Sequence, residues 1–344
     1  MSGSELSFDD IVRVADVRRV VTSMGTMNYL VNDHFIAEFY NRGQHWEEDL
    51  LEFLQHMLDG TKNVVDVGAH VGSHTMVYAK RAKFVYAYEP QRVLYRLLLL
   101  NCLDNDVYNV VPTCAAISYQ SGQAHLSTRI TDGLNTDQPV SYNDGVPRNY
   151  GGVQLGTDGE SVPQLALPAF EDVALLKVDV EGFEPCVFYG ARDLIRASRP
   201  VILFERNWKF MDPEVQSTLG IPDEVAGFSV EEFAAEIGYG PVVPLDYPAG
   251  NLLLAYDHPC LTAIEGEWHA SAGGGSVVIR RGADNVVEAV IDGRGPFRVI
   301  TVGPSTVVLL LALQVPTLVY NGTYVYGEVE GNTIYWANST QWDR

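Results

Sequence analysis

From about residue 60 to residue 257 the sequence alternates short apolar runs with stretches patterned for helix, and this alternation constrains the fold more than any other feature. "NVVDVG" is followed by the helix-like "SHTMVYAKRA", "FVYAYEP" by "QRVLYRLLLLNCLDN", and "VALLKVDV" by a helical stretch near Glu184 to Ala197. "PVILFE", a helix near Val230 to Ile237 and "NLLLAY" complete the series. Val93, Leu94, Leu97 and Leu98 recur at the spacing of one helix face. Repeats of this kind build a parallel sheet with helices on both faces, which is why its strands read as unbroken apolar runs. Upstream, "VRRVVTSMGTMNYLVND" is apolar on either side of Gly25 and predicts a hairpin. "HWEEDLLEFLQHML", with Leu50, Leu51, Phe53, Leu54 and Leu58 on one face, predicts a helix. Residues 1–60 are therefore expected to cap a sheet domain of residues 61–257.

Residues 261–344 have a different texture. "SVVIRR", "NVVEAVI", "TYVYGEV" and "NTIYWAN" are short strand-like runs separated by the turn dipeptides Asp292-Gly293, Asn321-Gly322 and Gly331-Asn332. They predict a small all-β domain, a barrel or a sandwich. Between about Ser127 and Leu165 lies a stretch rich in Gly, Asn, Asp, Tyr and Pro with no clear period, expected to be a long loop over a functional site.

A formal net charge of −21 would repel a phosphate backbone, so no nucleic-acid partner is expected. The longest apolar run, Val307 to Leu313, is far shorter than the ~20 residues of a spanning helix and is expected to be a buried strand. "MSGSELSFDD" has neither the charged nor the apolar part of a secretion signal, and a cytoplasmic location is expected. Cys102, Cys114, Cys186 and Cys260 lack metal-ligand spacing and read as reduced thiols.

The chemistry concentrates in "VVDVGAHVGSHT", Val64 to Thr75. Asp66 ends a strand, Gly68 and Gly72 shape the turn, and Glu89 ends the next strand, where a carboxylate can accept hydrogen bonds from both hydroxyls of a ribose. A dinucleotide fingerprint requires glycine two residues after Gly68, and this chain has His70. The pattern D-x-G-x-x-x-G suits S-adenosylmethionine, whose positively charged tail Asp66 would help neutralise. A second motif, "KVDVEGFE", puts Asp179, Glu181 and Glu184 at a strand end and helix start, with Asp179 and Glu181 the nearer to the presumed pocket. His74 is a further candidate base, because an imidazole titrates near working pH. Asp179, Glu181 and a histidine could hold a hard cation, but no compact ligand motif is present and no metal is assigned.

"HWEED" at His45 to Asp49, "VVDVGAHVGSHT", "YAYEPQ", "LLLLNCLDN", "LLKVDVEGFEPCVFYGA" and "PVILFE" occur in this order, and over roughly Asp33 to Tyr256 the chain resembles the FkbM family of S-adenosylmethionine-dependent methyltransferases. The resemblance implies a class I methyltransferase fold: a Rossmann-like α/β sheet of seven mostly parallel strands, one antiparallel at the edge, completed by "NLLLAY". It implies cofactor contacts from Glu47, Asp66, Gly68, Ala69, His70, Gly72, Glu89, Pro90, Ala116 and Asp179, with His70 standing where the family commonly has Asn. Catalysis would fall to Asp179, Glu181 and His74, and acceptor contacts to Asn135, Tyr142, Glu184 and Glu205. Asp132, Asp137 and Tyr150 of the long loop would also suit a polyol. The expected function is O-methylation of a hydroxyl, on a sugar of a glycan, glycolipid or nucleotide sugar. Two alternatives remain: a carbohydrate-binding or assembly protein on a non-catalytic scaffold, using Trp268, Trp336 or Trp342, and an NAD-dependent Rossmann enzyme. The β-rich domain lies outside the family pattern and is where a homo-oligomer would form.

Overall fold

The computed structural model describes residues 16–55, 57–132, 136–205, 213–240, 242–244 and 251–254, and beyond these the strands of the C-terminal region. The hairpin around Gly25 forms from antiparallel β1 (Val17–Thr22) and β2 (Gly25–Leu30). Helices α1 (His34–Tyr40) and α2 (Glu48–Gln55) follow; α2 buries Leu50, Leu51 and Leu54 completely, as its spacing predicts. The alternating region begins with β3 (Asn63–Val67), α3 (Ser73–Tyr78), β4 (Val85–Tyr88), α4 (Arg92–Asp104) and β5 (Val110–Thr113).

Then come β6 (Ala116–Ser118), β7 (Gly122–Leu126), β8 (Leu155–Gly156) and β9 (Ser161–Ala166). The series ends with β10 (Val173–Val178), α5 (Glu184–Ser198), β11 (Val201–Glu205), α6 (Pro213–Leu219), α7 (Asp223–Ala226), α8 (Val230–Glu236), β12 (Val243–Pro244) and β13 (Asn251–Leu254).

Seven strands form one sheet in the order β12-β13-β11-β10-β3-β4-β5. The pairings β11 to β10, β10 to β3, β3 to β4 and β4 to β5 are parallel, and "NLLLAY" supplies β13. This is the class I methyltransferase arrangement expected from the motifs. The chain runs from β3 outward to β5 and later returns to β10 on the other side of β3. That reversal opens a crevice at the C-terminal ends of β3 and β10, where ligands of open α/β sheets bind.

Asn101, an amide in the otherwise apolar "LLLLNCLDN", is fully buried in α4. Its Oδ1 accepts from the Asn28 N–H at 2.6 Å, and its Nδ2 donates to the Val71 carbonyl at 2.7 Å. One side chain thus ties the hairpin, α4 and the glycine turn together, and an apolar residue there would leave these backbone groups unsatisfied.

The segment from Ser127 to Leu165 corrects the expectation of a structureless loop. β8 and most of β9 fall inside it and join a four-stranded sheet in the order β6-β9-β7-β8. The rest is held by backbone pairs such as Val140 N to Thr128 O at 2.8 Å and Thr131 N to Gly152 O at 2.8 Å. Turn-forming residues hid the strands because β8 is only two residues long and β9 contains Pro163.

The chain divides into two compact units: Met1–Leu51, Leu58–Val230 and Leu245–Leu252 in one, and Glu52–Met57, Glu231–Pro244 and Leu253–Arg344 in the other. In the second, β14 (Gly266–Ala270), β15 (Ser276–Arg281), β16 (Val287–Ile291), β17 (Arg294–Thr301), β18 (Thr306–Leu310), β19 (Tyr324–Glu330), β20 (Thr333–Trp336) and β21 (Gln341–Asp343) form a closed barrel. Every adjacent pair is antiparallel, and β14 closes on β21. Closure removes the exposed edges that a sandwich of these strands would keep. Ile279 and Ala289, paired across β15 and β16, are buried while Val278 is exposed, the period-2 pattern of a one-sided strand. The three turn dipeptides lie outside the described residues, as do the side chains of Trp268, Trp336 and Trp342. No helix among the described residues is long and apolar enough to cross a membrane.

Candidate active site

The glycine turn after β3 is shaped by contact with β10. Gly68 has φ +79°, and a Cβ there would stand 1.8 Å from the Asp179 carbonyl oxygen, so only glycine lets the two strand ends meet. Gly72, at φ +89°, faces α4; a Cβ would come within 2.5 Å of Leu98 Cδ1. Beneath the turn lies Lys177, a buried cation in the strand "VALLKV". It is the cross-strand neighbour of Asp66. Its Nζ donates to the Gly68 carbonyl at 2.6 Å and lies 3.2 Å from Asp179 Oδ2 and 3.6 Å from Asp66 Oδ1. Burial pulls the Lys177 pKa down, but Asp179 and Asp66 more than reverse this and hold it above its ordinary value. Asp66 itself is fully buried and accepts from Thr75 Oγ1 at 2.6 Å.

A cavity of about 350 Å³ opens above this turn. At one end stands Glu89, whose Oε2 accepts from the His70 N–H and Oε1 from the Gln91 N–H, both at 2.8 Å. Burial raises its pKa against the opposing pull of His70, these two N–H groups and Lys177. Pro90, Gln91, Ala115 and Ala116 continue that wall.

At the other end the carboxylates of Asp179, Glu181 and Glu205 offer oxygens that lie within 4.8 Å of one another. Burial favours the neutral form of Asp179, but Lys177 dominates and holds its pKa below the ordinary value. Glu205 shares a hydrogen bond with Asp179; burial, then the charges of Asp179 and Glu181, push its pKa up to about 10. At neutral pH the pair is therefore a carboxylate beside a carboxylic acid. His74 lies on the same wall, its Nε2 2.8 Å from Glu47 Oε2 and its Nδ1 3.1 Å from the Tyr78 hydroxyl. Phe35 and Trp46, with ring centroids 6.3 Å apart, supply apolar surface.

Glu47, His70 and Glu181 all have φ between 52° and 54°, in the left-handed region that non-glycine residues seldom occupy. Three cavity-lining residues thus carry backbone strain, of about 1–3 kcal/mol each, that the surrounding structure must hold.

Of the residues expected from sequence, the cavity brings together Glu47, Gly68, Ala69, His70, His74, Glu89, Pro90, Ala116, Asp179, Glu181 and Glu205. Asp66 and Gly72 support the turn without lining it. Glu184 is drawn into the backbone: its Oε1 accepts from the N–H of Val180 at 3.0 Å and Gly182 at 3.2 Å, closing the turn that presents Glu181. Burial pushes its pKa up to about 7. Tyr142 donates to Gln91 Oε1 at 3.0 Å and stacks on Tyr150, a loop fastening outside the lining. Asp132 lines the cavity, Asp137 is exposed, and Tyr150 is buried against Asn32. Asn135 lies outside the described residues. Sequence reasoning missed Lys177 and Asp33. The signal for Lys177 was a lysine inside a core strand, where a charge persists only if paired.

Residues 66–233 match the family model described as the methyltransferase FkbM domain. No curated protein matches the chain. Among solved structures, a methyltransferase FkbM from Methylobacillus flagellatus KT aligns at 15% identity over 57% of this chain and 44% of that one, with a TM-score of 0.34. The chain therefore spans less than half of that protein's length. An S-adenosylmethionine-dependent O-methyltransferase from Thermotoga maritima aligns at 15% identity over 70% of this chain and 77% of that one, TM-score 0.34. TYW2 from M. jannaschii, in complex with AdoMet, aligns at 14% identity over 70% and 84%, TM-score 0.34.

S-adenosylmethionine, the cofactor this family implies, meets a fitting donor set. Glu89 stands at the end of β4 with acceptor capacity beyond its two N–H bonds, and Asp33 offers a buried carboxylate with no hydrogen-bond partner. The motif-bearing sheet and its switch-point cavity fall together with the family match: residues 66–233 are similar to the methyltransferase FkbM domain.

Proposed function

We propose that the protein is an S-adenosylmethionine-dependent O-methyltransferase whose acceptor is a hydroxyl of a sugar in a glycan, glycolipid or nucleotide sugar. The observation that carries this reading is a single cavity with Glu89 at one end and the Asp179, Glu181 and Glu205 cluster at the other. The cofactor supplies a methyl group already activated on a sulfonium. What remains for the protein is to align the acceptor and take its proton. Glu89, with acceptor capacity left beyond its two N–H bonds, would hold the ribose. Asp179, kept ionised by Lys177, takes the hydroxyl proton, and protonated Glu205 donates to Asp179 and fixes its orientation. Glu181 orients the acceptor. Carboxylate acceptors that share one cavity with the Phe35 and Trp46 rings suit a polyol, which presents hydroxyls at its edge and C–H groups on its face.

Labelled methyl transfer to a panel of sugars, nucleotide sugars and hydroxylated metabolites tests the reading. Transfer to a sugar hydroxyl is expected, and transfer only to nitrogen, carbon or non-sugar acceptors rejects the substrate class.

We also assign residues 1–60 as a cap, 61–257 as the catalytic domain and 261–344 as an accessory domain through which the chain self-associates. Truncation after Asp257 should leave a folded domain that binds S-adenosylhomocysteine but sediments as a smaller species than the full chain. A cytoplasmic location agrees with free thiols at Cys102, Cys114 and Cys186; Cys260 lies outside the described residues.

A further inference from the structure

Asp33 directly precedes α1 and lines the cavity. It is 1% exposed, and neither of its carboxylate oxygens has a hydrogen-bond partner. Its neighbour is His70, whose Nε2 lies 3.1 Å from Asp33 Oδ2, at ion-pair distance but without hydrogen-bond alignment; both ring nitrogens also lack hydrogen-bond partners. The same His70 gives its backbone N–H to Glu89 Oε2. Two buried carboxylates therefore contact one residue, Glu89 through the main chain and Asp33 through the ring. A buried carboxylate with open acceptor positions costs free energy unless a donor reaches it; the His70 ring stands beside Oδ2, and the cavity that Asp33 lines gives a ligand hydroxyl access to the remaining positions.

The backbone around Asp33 is pinned, so the carboxylate cannot readily swing out to water. The His34 N–H donates to the Arg148 carbonyl at 2.8 Å, the Arg148 N–H to the Asn32 carbonyl at 2.9 Å, and the Asp33 N–H to the Leu30 carbonyl at 3.0 Å. Arg148 is itself held by paired bonds to Asp144.

We propose that Asp33 is a second ribose-binding carboxylate, taking one of the two ribose hydroxyls of S-adenosylmethionine while Glu89 takes the other, with His70 as the spacer that sets the two acids apart. The inference rests on the cofactor assignment and goes beyond it, because neither the glycine motif nor the acid after β4 involves Asp33.

The test is calorimetric titration of S-adenosylhomocysteine and its 2′-deoxy and 3′-deoxy ribose analogues into wild type, Asp33→Asn and Glu89→Gln, with near-UV circular dichroism as the folding check. Wild type should bind each deoxy analogue about 10- to 100-fold more weakly than the parent, the range of a hydrogen bond to a charged group. Asp33→Asn should weaken the parent by a similar factor and no longer discriminate against loss of one hydroxyl, while Glu89→Gln should stop discriminating against loss of the other. Three outcomes overturn the proposal: parent affinity in Asp33→Asn within twofold of wild type, both variants blind to the same hydroxyl, or a wild type indifferent to one of the two deoxy analogues. The last needs no variant and decides the matter even if Asp33→Asn does not fold. Absence of S-adenosylhomocysteine binding by wild type would instead overturn this inference together with the cofactor assignment.

Discussion

The two ends of the cavity use the same functional group in opposite ways. Glu89 stands alone after β4, and each of its oxygens is already oriented by a backbone N–H. Asp179, Glu181 and Glu205 crowd together beyond β10 and β11, and a buried lysine pairs with Asp179 alone among them. A carboxylate fixed by N–H donors is a rigid acceptor suited to binding. Crowded carboxylates of which one holds a cation divide into an ionised member and a protonated one, which suits proton transfer. Environment, not residue type, separates the two roles.

The largest expected effect is at the crowded end. Asp179→Asn removes the proposed base, and Glu181→Gln the acceptor contact; each should retain cofactor affinity while single-turnover methyl transfer falls, by roughly 10²–10⁴ for Asp179→Asn. Near-normal rates in both would move the base to His74. Lys177→Met should leave the fully buried Asp66 and the partly exposed Asp179 without their cation and destabilise the fold by about 3–5 kcal/mol in denaturant titration, chiefly through Asp66. A loss below about 1 kcal/mol would mean that the charges are compensated elsewhere.

Glu184 sharpens the comparison, because at the crowded end it is a buried acid held by N–H groups, as Glu89 is at the other. Its folded pKa of about 7 lies above the ordinary 4.5, so the folded state binds a proton that the unfolded chain loses in between. That stabilisation is complete below about pH 4.5 and is lost as pH rises to about 7. Wild type should therefore lose up to about 3 kcal/mol relative to Glu184→Gln across this window. A constant stability difference between the two proteins from pH 4.5 to 8 would refute this. The smallest effect should come from Glu205→Gln, since the amide resembles the protonated acid; turnover within about threefold of wild type is expected, and a loss as large as that in Asp179→Asn would make Glu205 the base.

Much of this arrangement was legible in the sequence, for identifiable reasons. "VVDVG" and "VALLKVDV" read as central strands because a sheet covered on both faces tolerates unbroken apolar runs, and Glu89 follows from its place after the second strand. Asp66 and Glu184 carried the right chemistry for a site, but Thr75 and the distant Lys177 absorb Asp66 into the support of one turn, and the N–H groups of Val180 and Gly182 absorb Glu184 into the turn beside it. Lys177 and Asp33 escaped for the complementary reason: each gains its meaning from partners far away in sequence, Lys177 from Asp66 and the Gly68 carbonyl, Asp33 from His70. The short strands β8 and β9 escaped because β8 is only two residues long and Pro163 interrupts the strand pattern of β9.

The division of labour between the two ends is tested most directly by titrating S-adenosylhomocysteine into wild type, Glu89→Gln and Asp179→Asn by calorimetry. Glu89→Gln should bind about 10- to 100-fold more weakly than wild type, and Asp179→Asn within about threefold of it. Wild-type affinity in Glu89→Gln, or a loss in Asp179→Asn as large as that in Glu89→Gln, would contradict the assignment of binding to one end and proton transfer to the other.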